Sequence, residues 1–165
     1  MSEQHRKKYA SQNIINLYCL IGEAVCTVQL LEDALSTSIT LKKEVKKPGT
    51  IPLEVANQLR EKYRSYTLGN VINLIRNENL FSESLQESLK NFVLERNWLI
   101  HKSIQNENEA LSESNKQRIK STSDMARALL ESVETDLIQY SSSVGVDMAT
   151  VQASIQKHYL RHELN

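Results

Sequence analysis

The sequence predicts an all-α protein, most simply an antiparallel four-helix bundle with an additional short C-terminal helix. The chain has 165 residues but only 2 prolines and 4 glycines, so few positions interrupt long helices. Apolar residues recur every three or four positions over long stretches, which is the spacing of an amphipathic helix. The length suits one domain, and we interpret residues 1–165 as a single helical domain.

The first predicted helix runs from about residue 8 to residue 45. Its apolar positions at helical spacing are Ile14, Leu17, Ile21, Val25, Val28, Leu31 and Leu35. A lysine-rich segment followed by Pro48 and Gly49 ends it. A second helical region is predicted from Pro52, which suits a first helical turn, to about residue 77. The stretch SYTLGN predicts a bend or restart of that region near Gly69.

The third predicted helix begins at Ser84, because SLQE places Glu87 three residues after a serine, as in a capping box. It continues to about residue 104 and fades at QNENE. A fourth helix is predicted over residues 114–140, with apolar positions Ile119, Met125, Leu129, Val133 and Leu137. After SSSVG, a short last helix is predicted with Asp147 as its N-cap.

Composition and charge narrow the classes of function. The 20 basic and 20 acidic side chains give a formal net charge of +0, which excludes a uniformly basic nucleic-acid binder but permits a local basic patch. Cys19 and Cys26 are too few for a disulfide framework and wrongly spaced for zinc, so we interpret them as buried small hydrophobic residues.

We expect a cytoplasmic protein with no membrane partner. The segment MSEQHRKKYA is polar and does not have the pattern of a signal peptide. The most apolar run, IINLYCLIGEAVCTVQLL, carries Glu23 and Gln29 and breaks up too soon to span a bilayer.

The third predicted helix carries polar residues where a bundle helix would place leucine. At about 100° per residue, Arg96 points from the middle of an apolar face formed by Leu85, Leu89, Phe92, Leu99, Ile100 and Ser103. Asn97 and His101, one turn apart, fall in a second apolar arc with Val93, Leu94 and Ile104. A second copy of the chain would cover this arc in an isologous homodimer. Burial by the first and fourth helices together is the alternative.

Arg96 needs an acceptor, because an unpaired buried guanidinium is costly. Glu32 and Glu23 in the first predicted helix are both candidate carboxylates. The sequence leaves the choice between them open.

Arg96, Asn97 and His101 belong to RNWLIH, which resembles the signature of the HEPN superfamily (higher eukaryote and prokaryote nucleotide-binding). That signature is an arginine, a gap of four to six residues and a histidine, often with asparagine directly after the arginine. YTLGNVINLI followed by LKNFVLERNWLIH also resembles small bacterial members in order and spacing. The resemblance extends from about the first helix through Ile104.

The resemblance implies a metal-independent endoribonuclease without a cofactor, in which two copies of the motif form one cleft in a homodimer. Arg96 would be the phosphate-binding catalytic arginine, Asn97 the polar residue beside it and His101 the catalytic histidine. It further implies an RNA substrate such as tRNA or mRNA, a role in phage defence, RNA processing or a toxin–antitoxin pair, and an antitoxin partner in the last case. One branch has a tyrosine two residues after the histidine, where this chain has Ser103, so nucleotide transfer to that tyrosine is not implied.

These residue types suit cleavage of RNA through its own 2′-OH. Histidine exchanges protons near neutral pH, and arginine stays charged and offers a planar fork of donors to phosphate oxygens. Two alternatives remain. The first is a non-catalytic HEPN-like module that binds a nucleotide or a protein. The second is a structural helical adaptor in which Arg96 and His101 belong to internal ion pairs.

Three further features have a structural and a functional interpretation, and we favour the structural one for each. Trp98 is a packing residue rather than a platform on which RNA bases stack. His158 and His162, four residues apart, have no third ligand and are not expected to bind a metal. The basic residues are expected to be solvated rather than bound to an RNA backbone: Lys42, Lys43, Lys46, Lys47, Arg60, Lys62 and Arg64.

Overall fold

The computed structural model of the chain describes residues 11–105 and 107–146, and the regular structure within these two ranges is entirely helical. The predicted all-α class is therefore confirmed. The helices are α1 (Gln12–Ile39), α2 (Leu53–Arg64), α3 (Leu68–Asn77), α4 (Glu83–Lys102), the single turn α5 (Glu107–Ala110) and α6 (Glu113–Ser143). A π-helical segment, Thr40–Val45, extends α1 to the predicted end of the first helix.

Serine and threonine hydroxyls set the starts of three helices. Thr67 accepts a hydrogen bond from the backbone N–H of Asn70 and begins α3, so the predicted restart falls just before Gly69. Ser82, not Ser84, is the N-cap of α4, because its hydroxyl accepts from the Leu85 N–H at 3.4 Å. Ser112 caps α6 through the Asn115 N–H at 3.1 Å. The predicted cap at Asp147 and the short last helix lie outside the described residues.

The two longest helices, α1 and α6, run side by side in the same direction. Glu23 in the first half of α1 pairs with Arg127 at the middle of α6, and the Tyr140 hydroxyl near the end of α6 donates to the Lys46 carbonyl, directly after the π-helical segment, at 2.9 Å. Helix α4 runs opposite to α6, since Ser103 at its end lies against Asn115 at the beginning of α6. An up-and-down bundle would instead set its first and last helices antiparallel.

The break between α2 and α3 accounts for this arrangement. Lys43 of the π-helical segment pairs with Glu78, directly after α3, and the Lys42 ammonium donates to the Leu80 carbonyl at 2.8 Å. Helices α2 and α3 therefore lead the chain away from the C-terminal end of α1 and then back to that same end. The next long helix must then run opposite to α1, and the one after it must run parallel to α1.

The core lies between α1, α3, α4 and α6. Its largest fully buried side chains are Phe92, Leu31, Leu35, Ile39, Ile75, Leu89, Leu99 and Ile119. Met125, predicted for the interior of the last long helix, is instead 38% exposed. The buried seam of α6 passes through Thr122 and Ala126, and residue 125 lies about 100° away from residue 126 around the helix axis.

Candidate functional site

The motif lies on the last two turns of α4, which is anchored at its C-terminal end. The Ser103 hydroxyl donates to the Leu99 carbonyl at 2.6 Å, and Ser103 is buried. The amide of Asn115 donates to the carbonyl oxygens of Ser103 and Ala110, at 3.0 and 2.9 Å. These bonds satisfy carbonyls that a helix end leaves unpaired and tie the last turn to α6.

Arg96 is half-buried and is held by α1. Its Nε donates to Oε1 of Glu32 at 3.0 Å, and its Nη1 donates to Oδ1 of Asn97 at 3.5 Å. Glu23, the other candidate carboxylate, pairs with Arg127 on α6 instead. Since a guanidinium carries five N–H donors, the bond to Glu32 orients the group and leaves terminal N–H donors for a further acceptor.

Asn97 and His101 are exposed on the outside of α4, as is the neighbouring Lys102. Arg96 and His101 project about 140° apart around the helix, so Arg96 turns to α1 while His101 turns to solvent. Among residues 11–105 and 107–146, no hydrogen bond joins His101 to Arg96 or Asn97. The single chain thus brings Arg96 and Asn97 together but leaves His101 apart from them.

Most of the second apolar arc of α4 is open in the single chain, although Val93 packs against the core. Leu94 is 72% exposed, Ile104 is 53% exposed, and Ile100, predicted for the core face, is 41% exposed. Burial by the first and fourth helices, the alternative to a second copy, therefore does not account for these three residues. Contacts of α4 with α1 through Arg96 and with α6 through Glu95 leave this side uncovered.

Trp98 is covered on one face by a charged side chain. The Arg118 guanidinium lies 4.0 Å from the centroid of the indole ring. The same guanidinium donates from Nε and Nη2 to the two carboxylate oxygens of Glu95, at 3.0 and 3.1 Å. Packing is therefore the role that the contacts of Trp98 support, and a nucleobase cannot stack on the face that Arg118 occupies.

Much of the basic segment is paired within the chain. Lys42 pairs with Asp136, Lys43 pairs with Glu78, and both Arg60 and Arg64 pair with Asp33. These four cations have carboxylate partners and do not form a strip of unpaired charge for an RNA backbone.

The two cysteines correct the sequence-based interpretation. Cys19 and Cys26 are both exposed, so the prediction that they are buried is wrong. Helix α1 packs its opposite face into the core through Ala24, Val28 and Leu31, and the cysteines lie on the face that this packing leaves open.

The motif is not enclosed by a small-molecule cavity. A groove of about 730 Å³ lies between α4 and α6, but it is lined by residues from the first half of α4, including Ser84 and Ser88, and not by Arg96 or His101. No group of three or more metal-ligating side chains occurs in the described part of the chain, and His158 and His162 lie outside it.

One helical stretch, Gln12–Val45, is long and apolar enough to cross a membrane by length and composition, because an 18-residue window within it has a mean hydropathy of 1.7. Core helices of soluble proteins pass the same test, so the expectation of a cytoplasmic protein stays a prediction. No family model, curated protein or solved structure matches the chain. The HEPN resemblance therefore rests on the sequence alone, on RNWLIH and on the order and spacing of the segments that precede it.

Proposed function

We propose that this chain is a HEPN-like, metal-independent endoribonuclease that acts as a homodimer. Arg96, Asn97 and His101 of both copies would line one composite cleft. The observation that carries the proposal is that Asn97 and His101 are exposed in an apolar arc that the chain leaves largely open, while Glu32 orients the neighbouring Arg96. An open surface of this kind suits a polymer substrate better than a small ligand.

The proposed chemistry uses the 2′-OH of RNA as the nucleophile. His101 of one copy accepts the 2′-OH proton, and the 2′-oxygen attacks the adjacent phosphorus. The bond from phosphorus to the 5′-oxygen breaks, and the histidine of the second copy donates a proton to that leaving oxygen. Arg96 stabilises the negative charge on the phosphoryl oxygens, and Asn97 binds a phosphate oxygen or orients the imidazole. The products carry 2′,3′-cyclic phosphate and 5′-OH ends.

In this proposal the four elements of a HEPN-like bundle are α1, the α2–α3 pair, α4 and α6. The long helices form the rigid frame, and the C-terminal half of α4 presents the motif at its surface. A rigid frame matters because proton transfer needs the reacting groups at defined distances.

A non-catalytic HEPN-like module that binds a nucleotide or a protein is the second candidate, and the Arg96–Glu32 pair favours it. Glu32 already compensates much of the guanidinium charge, so a phosphate must compete with this carboxylate. The net charge of +0 also supplies little general attraction for RNA.

Cleavage of tRNA and total RNA by the purified protein in EDTA separates the two candidates. The variants are Arg96→Ala and His101→Ala, and Lys102→Ala is the matched control because it alters an exposed cation beside the histidine. Circular dichroism and light scattering first establish that each variant is folded and has the oligomeric state of the wild type.

We expect wild type and Lys102→Ala to cleave and the other two variants to lose at least about 100-fold in rate, the scale of a missing general acid or base. A folded wild-type dimer that cleaves neither RNA would favour the binding module. Cleavage that persists in both variants would show that the site lies elsewhere.

A further inference from the structure

One face of α1 is uncovered along four turns, and we call it the open face: Ile15, Tyr18, Cys19, Gly22, Cys26 and Leu30. At about 100° per residue these side chains lie within about 60° of the direction of Ile15. Tyr18 is 57% exposed, Leu30 is 59% exposed and Ile15 is 43% exposed. Between Ile15 and Leu30 this arc includes one further exposed side chain, the polar Gln29, and no charged residue, so water covers a surface of mostly apolar groups.

Two pairs of residues on the open face lie symmetrically about its centre, whereas the position that matches Tyr18 is the buried Thr27. Ile15 and Leu30 are equally far from the point between residues 22 and 23, and so are Cys19 and Cys26. If two copies of α1 cross antiparallel at Gly22, Ile15 faces Leu30 of the second copy and Cys19 faces Cys26. An isologous interface requires this kind of self-complementary surface.

Gly22 at the centre of the open face is compatible with a close helix crossing. Glycine inside a helix costs about 1 kcal/mol relative to alanine. A Cβ atom at Gly22 would meet nothing within 4 Å in the single chain, so the packing of this chain does not require glycine there. Without a Cβ, Gly22 would let the backbone of another helix approach closely at the centre of the open face.

We propose that the open face is the two-fold contact between two copies of this chain, with α1 packed antiparallel on α1 and centred at Gly22. This proposal rests on α1 and does not depend on ribonuclease activity. It commits to a second copy because the spacing is symmetric, a property that a lipid surface or an unrelated partner would not require.

The available area fits a stable dimer when the neighbouring arc of α4 is included. Six large apolar side chains are exposed on the two surfaces: Ile15, Tyr18, Leu30, Leu94, Ile100 and Ile104. At roughly 100 Å² each on both copies, they reach about the 1,200 Å² at which stable interfaces begin.

The two surfaces also adjoin each other. Glu32, which holds Arg96, lies about 100° around α1 from the centre of the open face, so α4 lies along one edge of that face. A two-fold axis across an antiparallel helix pair keeps both α4 helices on the same side of the pair. The two RNWLIH motifs would therefore open on one groove.

A disulfide between Cys19 and Cys26 would show directly which residues of the two α1 helices face each other. Cys19 and Cys26 of one chain are separated by about 10.5 Å along the helix axis. That exceeds the Cα separation of about 4.4–6.8 Å that a disulfide spans, so a Cys19–Cys26 bond must join two copies. Oxidation of the reduced full-length protein with diamide converts two thiols to a disulfide, and the diamide is reduced to its hydrazine.

We expect diamide to give a covalent dimer, with Cys19 linked to Cys26 in peptides identified by mass spectrometry. Cys19→Ser and Cys26→Ser should each cross-link at least tenfold less when alone. Mixing the two variants should restore the dimer, since each supplies the thiol that the other lacks. A Cys19–Cys19 or Cys26–Cys26 bond as the main product, or no dimer, would overturn the register.

Gly22→Leu tests the contact without using the cysteines. We expect this variant to keep its helical circular dichroism and to sediment as a monomer. Gly69→Leu is the matched control, because a Cβ at this second helical glycine also meets nothing within 4 Å, and it should remain dimeric. A wild-type monomer that binds phosphatidylcholine vesicles would assign the face to lipid and overturn the proposal. A cross-linked dimer that does not cleave RNA would reject the proposed function but keep this interface.

Discussion

Arg96 of α4 and Glu32 of α1 are joined by a bond of 3.0 Å from Nε to Oε1, across 64 residues of sequence. Both side chains are about one quarter to one third exposed. The bond fixes α4 on α1 and sets the direction of the guanidinium. Arg96 is therefore expected to contribute to stability, and in the proposed ribonuclease also to chemistry, whereas the exposed His101 would contribute to chemistry alone.

Arg96→Ala should lower the free energy of unfolding by about 1–2 kcal/mol, because it leaves the Glu32 carboxylate half-buried without its partner. His101→Ala should change it by no more than about 0.5 kcal/mol, as is usual for an exposed position. Urea titrations measure both values. Glu32→Gln together with Arg96→Ala completes a double-mutant cycle, and a coupling near zero would contradict the importance of this pair.

The ends of the RNA fragments test the proposed chemistry. Attack by the 2′-OH leaves a 5′-OH, which polynucleotide kinase labels without prior phosphatase treatment. The 3′ end resists poly(A) polymerase until the cyclic phosphate is removed. Fragments with 5′-phosphate and free 3′-OH ends would mean that water, not the 2′-OH, is the nucleophile, and the roles assigned to Arg96 and His101 would be wrong.

Trp98 is the single tryptophan, so its fluorescence reports the contact with Arg118. Arg118→Ala should shift the emission maximum to longer wavelength, because removing the guanidinium opens one face of the indole to water. Arg127→Ala, which alters an exposed arginine of the same helix that pairs with Glu23, should leave the spectrum unchanged. An equal shift in both variants would point to a general loosening of α6.

Lys42 joins the π-helical segment to α6 and to the chain after α3. Its side chain is only 10% exposed, pairs with Asp136, and lies 4.4 Å from the centroid of the Phe81 ring. Lys42→Met should cost about 2–4 kcal/mol of stability, since it keeps the apolar stem but leaves a partly buried carboxylate unpaired.

Lys43→Met is the matched control for Lys42→Met. The neighbouring Lys43–Glu78 pair is more exposed, so this variant should cost no more than about 1 kcal/mol in chemical denaturation. Similar losses for the two variants would show that the extra contacts of Lys42 add nothing.

Ionisation of the Tyr63 phenol is expected to lower the stability of the fold at alkaline pH. Burial, together with the hydrogen bond to Glu44, holds the pKa of its phenol well above the ordinary value of 10.0. Because the pKa is raised in the folded state, the stabilisation is complete below about pH 10 and is lost as the pH rises above it. Chemical denaturation at about pH 9 and pH 11 should show a larger fall for wild type than for Tyr63→Phe. Equal falls would contradict this assignment.

The helical class and the outlines of the long helices followed from local properties of the sequence. Few prolines and glycines, and the 3.6-residue periodicity, act over single turns and need no knowledge of distant residues. Cap positions were less accurate: both Ser82 and Ser84 are suitable residues, and the turn that precedes α4 determines which of them begins it.

The parallel pairing of α1 with α6 could not be read from periodicity, because an apolar stripe does not specify the direction of the helix that covers it. Helices α2 and α3 decide the direction of α6, because they bring the chain back to the C-terminal end of α1 before α4 begins. The partner of Arg96 could not be predicted for the same reason. The sequence did not select between Glu23 and Glu32, and only the packing of α4 on α1 places Glu32 beside Arg96.

The candidate motif was recognisable as a short pattern, since Arg96, Asn97 and His101 are close together in sequence. The exposure of these three side chains could not be predicted from the sequence, because it depends on which sides of α4 the neighbouring helices cover. Sequence alone gave Cys19 and Cys26 the character of small apolar residues, which is typical of a core. Only the tertiary structure, in which α4 and α6 cover the opposite side and the edges of α1, left the cysteines and Gly22 on the outside.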